Sequence, residues 1–449
     1  DEYGIIVWQD LMYACNVYDV TQEFEDSIAA ETVDNAKRLR HHASLGLWCG
    51  NNEIESAWAY WGNYQTQSQY LRADYIKQFE YILPKALKKA DDQTFFWPSS
   101  PSSGGCFDEP GAEKRGDTHY WEVWHGNKPF SEYRKYFFRY ASEFGFQSFP
   151  SVKTLETVTD DPKELNPFSY VMEKHQRNYG GNGKIAKYMQ AAYRYPENFS
   201  DFVYASQLLQ ADGIRYGVEH YRRNRGRCMG AIYWQLNDCW PVISWSSIDY
   251  YGRWKALHYY AKRFFAPVML SCEEQSWMTV EADMNRQHFE FEKSIRLNVT
   301  NETLDAHRVL VKWAVRKTDA TILREEEQWL EVPALSAVWM DKVELPQIDC
   351  FNEYVSYEAW ENDQIISQGT VIFSYPKYFR YLNPGLTVRV DGDEIVVKAE
   401  AYAKSVEIRN ENDDLILEDN YFDMNAGEYR VKILDGKPDG LKVRSVYDI

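Results

Sequence analysis

Positive charge is in short supply: Lys and Arg number 50 against 68 Asp and Glu, leaving a net charge of −18 over 449 residues. A surface of that sign repels phosphate backbones and anionic bilayers, which argues against nucleic acid or a membrane surface as partner. No apolar run approaches the ~18 residues a membrane-spanning helix needs. Cysteine is sparse as well. Its seven copies are scattered, with no Cys-x-x-Cys pair and no metal-ligand spacing. They read as mostly reduced, buried thiols, which does not settle the compartment; a soluble cytoplasmic protein is slightly favoured. His41-His42 sits among charges in a helical stretch, so neither a metal nor any other cofactor is expected. An initiating Met and a signal peptide are also missing. The chain opens Asp1-Glu2-Tyr3-Gly4-Ile5, as though inside a domain, and further units upstream are the expectation.

What the chain has in quantity is aromatic rings, 34 Tyr and 16 Trp among them. They fall into two textures. Over residues 1–266, six short apolar runs alternate with helical stretches: Gly4–Trp8, Leu45–Cys49, Thr94–Pro98, Asp117–Trp121, Tyr140–Phe144 and Met229–Trp234. Runs apolar on both faces suit parallel strands buried between helices, hence an α/β fold. Tyr75, Phe79, Ile82 and Ala86 mark one helix face, and Phe202–His220 reads as another helix. Because a closed (β/α)8 barrel needs two more strands, the expectation is such a barrel lacking its first two units; a complete open sheet is the alternative. Residues 267–374 alternate like a β-sandwich, with strands such as Ser294–Asn298, Val309–Val315 and Tyr354–Ala359. Residues 375–449 begin with an aromatic linker, Pro376 to Pro384, and continue as a second all-β module.

Two acidic side chains stand at the ends of these strands. Leu45–Cys49 runs into Gly50-Asn51-Asn52-Glu53, and Tyr140–Phe144 contains Glu143. In a parallel barrel the carboxyl ends of the strands converge on one mouth, where a partly desolvated carboxyl can hold a proton at neutral pH. The competing structural roles are a helix cap for Glu53 and an ion pair with Arg134 or Arg139 for Glu143. A pair of carboxyls across one mouth is what glycoside hydrolysis requires, one donating a proton and the other attacking. Nearby, Asn52 can bond a sugar hydroxyl, Trp234 can form a pocket floor, and Tyr120 and Trp121 lie at another strand end beside His119. Asn198, Asn298 and Asn301 open formal glycosylation sequons that read as incidental.

Several segments together resemble the β-mannosidases of glycoside hydrolase family 2: Gly50-Asn51-Asn52-Glu53, His119 to Gly126, Ser142 to Ser148, Tyr233 to Asp238 and Trp240 to Asp249. The likeness spans residues 1–266 and continues more weakly beyond. It implies a retaining exo-β-mannosidase with Glu53 as acid/base and Glu143 as nucleophile. Trp8 would line the pocket, and Asn52 would hold the axial 2-hydroxyl. A β-mannoside or manno-oligosaccharide would be the ligand. Another family 2 substrate, a β-glucosaminide or β-galactoside, is the alternative within enzymes. A carbohydrate-binding fragment without turnover is the alternative outside them.

Overall fold

The computed structural model describes residues 1–280 and 290–449. These divide into two compact units. The first comprises Asp1–Tyr120, Tyr136–Phe144 and Arg227–Ile232; the second comprises Trp121–Lys135, Gly145–Gly226 and Tyr233–Ile449.

In the first unit, β1 (Val7–Asp10), β2 (Leu45–Cys49) and β3 (Phe95–Trp97) form a parallel sheet in that order, with Asp10 beside Cys49 and Cys49 beside Trp97. Parallel neighbours need crossovers. Helix Gln22–Leu39 supplies the first, started by the Thr21 side chain, which accepts from the Phe24 amide. The second carries Gln69–Ile76, a π-helical stretch Lys77–Ile82 and Leu83–Leu87. Tyr75, Phe79, Ile82 and Ala86 are all buried there, as the one-faced pattern predicts. The π turn shifts the helical phase without turning that face outward. Beyond these strands, β4 (Thr118–His119) pairs in parallel with β5 (Ala141–Glu143).

No closed barrel forms among the described residues. The ladders are a three-stranded sheet and a separate pair, and Met229–Trp234 joins only through isolated bridges at Ala231 and Trp234. A side chain on Gly230 would collide with the Tyr140 ring, so this backbone is pressed against an aromatic face.

In the second unit, helix Phe199–Arg223 is capped by the Asn198 side chain on the Asp201 amide and is buried over most of its length. A sandwich follows. One sheet has β7 (Ser294–Asn301) flanked by β6 (Val268–Gln275), β10 (Ser336–Trp339) and β11 (Val343–Glu344). The other runs β13 (Gln364–Ile372), β12 (Glu353–Glu361), β8 (His307–Lys317), β9 (Ile322–Val332). Val299, Val311, Trp313, Val355 and Phe373 fill the space between them. The segment from Pro376 is packed rather than a free linker: Phe379 is fully buried with Tyr354, Ile372 and Tyr402. The last module holds β14 (Thr387–Asp391), β15 (Glu394–Ala399), β19 (Gly427–Asp435) and β17 (Ile416–Leu417) in one sheet. Its other sheet is β18 (Phe422–Met424), β16 (Ala403–Arg409) and β20 (Lys442–Arg444). Asn298 and Asn301 are fully buried, so their sequons are closed to modification.

All seven cysteines are free thiols, but the expectation that they are buried holds only in part. Cys15, Cys106 and Cys239 are exposed because they lie in loops and not in the apolar strands. Among the described residues, no helix is long and apolar enough to cross a membrane.

Candidate active site

The end of β2 is locked to the end of β3. Gly50 donates to the Trp97 carbonyl at 2.8 Å, and a Cβ at Gly50 would collide with the Pro98 oxygen, so only glycine fits. Asn51 is fully buried. Its amide donates to the Pro98 carbonyl and its oxygen accepts from Ser99 Oγ and from the Ile54 amide. Asn51 therefore caps the following turn, and Glu53 makes no side-chain cap bond. Glu53 instead has φ of +62°, a left-handed conformation that costs a non-glycine residue about 1 kcal/mol or more and recurs at functional sites. Its amide is held by the Ser100 carbonyl at 2.7 Å.

The β4–β5 register sets His119 beside Glu143. His119 Nδ1 lies 2.8 Å from Glu53 Oε1 and 3.6 Å from Glu143 Oε1, so the imidazole stands between the two carboxylates. Its Nε2 is 2.8 Å from Ser100 Oγ. Ser100 has one hydroxyl proton and gives it to Asp117 Oδ2 at 2.6 Å, so Nε2–H must be the donor to Ser100. Asp117 also accepts from Ser142 Oγ, Trp97 Nε1 and the Ser102 amide. Burial alone would push His119 down, but Glu143, Glu53 and Asp117 outweigh it and raise the ring to about 9. At neutral pH the ring is an imidazolium that offsets part of the repulsion between the carboxylates.

One ligand atom each from Glu53, His119 and Glu143 lie within 4.8 Å of one another, a spacing that can hold a cation. Chemically the set suits a proton better. A ring that donates from both nitrogens has no lone pair for a metal. These three residues lie far apart along the chain, and no ligand spacing signals their cluster.

Asn52 adjoins Glu53 and donates to Cys15 Sγ at 3.7 Å, and that thiol lies 3.7 Å from Glu53 Oε2. Partial burial, and then the Glu53 charge, push Cys15 up to about 11, leaving it an inert thiol. Trp8 donates its indole N–H to Asp10, whose carboxyl burial raises above its usual range. Tyr120 packs its ring against Tyr136 and Phe138, while its amide donates to the Glu143 carbonyl. Trp121 and Trp234 belong to the second unit, where both crowd Gly145: a Cβ there would meet the Trp234 carbonyl at 2.6 Å and the Trp121 ring at 2.8 Å. Arg134 is committed to Glu274. Cavity size does not mark the chemistry: two cavities of about 280 and 220 Å³ lie in the second unit and neither is lined by Glu53, His119 or Glu143. His119, Ser100 and Asp117 are the functional groups that reading the strand ends for carboxyls missed.

Parallel strands presenting two glutamates, followed by paired β-sandwiches, define the class of multidomain glycoside hydrolases. Residues 293–378 match the family described as "Mannosidase Ig/CBM-like domain", and residues 381–449 match "Ig-fold domain" of the mannosidase type. A curated β-mannosidase B of Thermothelomyces thermophilus is 30% identical over all of this chain and 55% of its own length. That of Aspergillus terreus is 28% identical over 97% of the chain and 54% of its own length. Among solved structures, the β-D-mannosidase of Dictyoglomus thermophilum superposes with a TM-score of 0.84 at 28% identity, covering 98% of this chain and 53% of that one. An exo-chitosanase of Amycolatopsis orientalis shares the fold, with a TM-score of 0.66 at 16% identity over 98% of this chain and 57% of that one. Over nearly all of its length the chain is similar to β-mannosidases, and it spans about half the length of the curated relatives it matches.

Proposed function

We propose that the chain carries the catalytic carboxyls of a retaining exo-β-mannosidase that releases terminal β-D-mannosyl residues. On this reading residues 1–266 are six of the eight units of a (β/α)8 barrel, and residues 267–374 and 375–449 are two β modules that follow it in the chain. The observation that carries the proposal is the approach of Glu53 and Glu143 to within 4.8 Å around His119. Retaining enzymes hold their carboxyls roughly 5–5.5 Å apart, whereas inverting ones leave roughly 6.5–9.5 Å for a water.

Glu143 attacks the anomeric carbon while Glu53 protonates the departing oxygen, and a mannosyl ester forms on Glu143. Glu53 then takes a proton from water, which opens the ester and returns mannose with its β configuration. His119 Nδ1 lies 2.8 Å from Glu53 Oε1 and holds that carboxyl in place through both steps. Asn52 and Trp8 are assigned to the binding of the sugar ring, whereas Tyr120 is buried against Tyr136 and Phe138. No cofactor enters any step.

The test is hydrolysis of an aryl β-mannoside followed by proton NMR of the first-formed anomer. β-Mannose is expected, with Glu143→Ala and Glu53→Ala each losing about 10³-fold or more in kcat. α-Mannose as first product would overturn the retaining reading. Faster turnover of the aryl β-glucosaminide or β-galactoside would overturn the mannoside assignment.

A further inference from the structure

In the second unit the sheet β13-β12-β8-β9 turns one face into the sandwich, with Val311, Trp313, Tyr357 and Leu330 in the core. Strand alternation sends their neighbours outward. One end of that outer face is covered, since Tyr354 and Ile372 are buried against Phe379 and Tyr402. Toward the other end, the register lines up Ile365, Trp360, Leu310 and Trp329 in one row across all four strands. Trp329 is 54% exposed and Ile365 43%. Charged ranks border the row, Glu358-Lys312-Glu327 on one side and Arg308-Glu331 on the other.

Those charges are spent on one another and on the rings. Lys312 pairs with Glu327 and lies over Trp360; Arg308 pairs with Glu331 and lies over Trp329; Trp360 donates to Glu358. With three carboxylates to two cations, the strip offers no attraction to a polyanion. It offers two indole rings, Trp329 half-exposed and Trp360 partly buried, each with a cation over one face and hydrogen-bonding groups beside it, which fits a ligand with apolar C–H faces and hydroxyl edges. Trp360 and Trp329 stand on strands two apart, so about 9.5 Å separates their backbones. That distance spans two rings of an extended β-1,4-linked chain.

We propose that this strip is a secondary binding site for a neutral, extended β-1,4-linked hexopyranose chain, held by stacking on Trp329 and Trp360. It requires no turnover, so it stands or falls apart from the assignment of Glu53 and Glu143.

The test is native electrophoresis through gels containing soluble β-1,4-mannan, using the chain with Glu143→Gln so that the polymer persists. Excess mannobiose fills any pocket at the glutamates. Retardation is expected, weakened about tenfold by Trp329→Ala or Trp360→Ala and kept by Trp329→Phe, with thermal melting confirming that each variant folds. An unretarded parent chain, or alanine variants retarded equally, would overturn the proposal. So would variants that change only self-association in solution, which would assign the strip to a protein contact.

Discussion

Both units bury charge, but they balance it differently. In the second unit, helix Phe199–Arg223 meets β6 through Arg134, Arg215 and Arg223 set against Glu274, Glu219 and Asp212. Burial works to raise Glu274, yet the Arg134 charge and the Tyr216 hydroxyl bring it below the usual carboxylate range. Each acid there pairs with an arginine, and the charges largely cancel within the cluster. Around His119 three carboxylates converge on one imidazole. That excess of negative charge holds the proton on the ring well above its usual range. Balanced clusters hold a fold together, while an unbalanced one can do chemistry.

The most forceful way to break that comparison is to unbalance the matched cluster. Glu274→Ala leaves the Arg134 guanidinium buried without its 2.7 Å partner. Breaking a buried pair from one side costs about 3–5 kcal/mol. The expected outcome is a denaturation midpoint lowered accordingly, with kcat of the remaining folded protein unchanged. A variant as stable as the parent would show that the network is not structural.

His119 gives a smaller and pH-dependent effect. Its folded value of about 9 lies above its usual 6.5. The charged ring therefore stabilises the fold fully below about pH 6.5, and the contribution fades as pH rises through about 9, amounting to roughly 3 kcal/mol. Denaturation of the parent and of His119→Gln between pH 6 and 10 should show that slope in the parent alone. The ring's NMR resonances should titrate near the same pH. Titration at or below 6.5 would mean that the carboxylates do not act on the ring together.

Much of this was legible in the chain. Leu45–Cys49 has in the structure the bounds that its apolar run suggests, because Gly50 punctuates it. The carboxyls at two strand ends were visible for the same reason. His119 was hidden behind its neighbour. Side chains alternate along a strand, so the residue in register with Glu143 shares its side, and that residue is His119. Tyr120, one position on, turns into the cluster of Tyr136 and Phe138. The π turns at Ala57–Trp61 and Lys77–Ile82 left no mark on the pattern, since Tyr75, Phe79, Ile82 and Ala86 keep the spacing of an ordinary helix face across the second of them. The pairing of Ala231 with Ala141 joins segments far apart in the chain, which no local pattern signals.

The smallest expected effect sharpens the comparison most. Glu55 sits two residues from Glu53, and burial raises it to about 7, with hydrogen bonds from Ser102 and the Phe107 amide offsetting only part of the rise. Judged by titration alone, Glu55 is an attractive general acid. Geometry says otherwise, because its Oε1 is occupied by the Phe107 amide at 2.8 Å, while Glu53 is the carboxyl beside His119. A folded value above the usual 4.5 means that stability is full below about pH 4.5 and falls as pH rises through about 7. Glu55→Gln keeps the acceptor for Phe107 and should abolish that slope, about 2 kcal/mol between pH 4.5 and 7. It should leave kcat within about threefold of the parent, against the ~10³-fold loss expected at Glu53. Loss of turnover in Glu55→Gln with an intact fold would move the acid role two residues along the chain and overturn the reading of His119 as its partner.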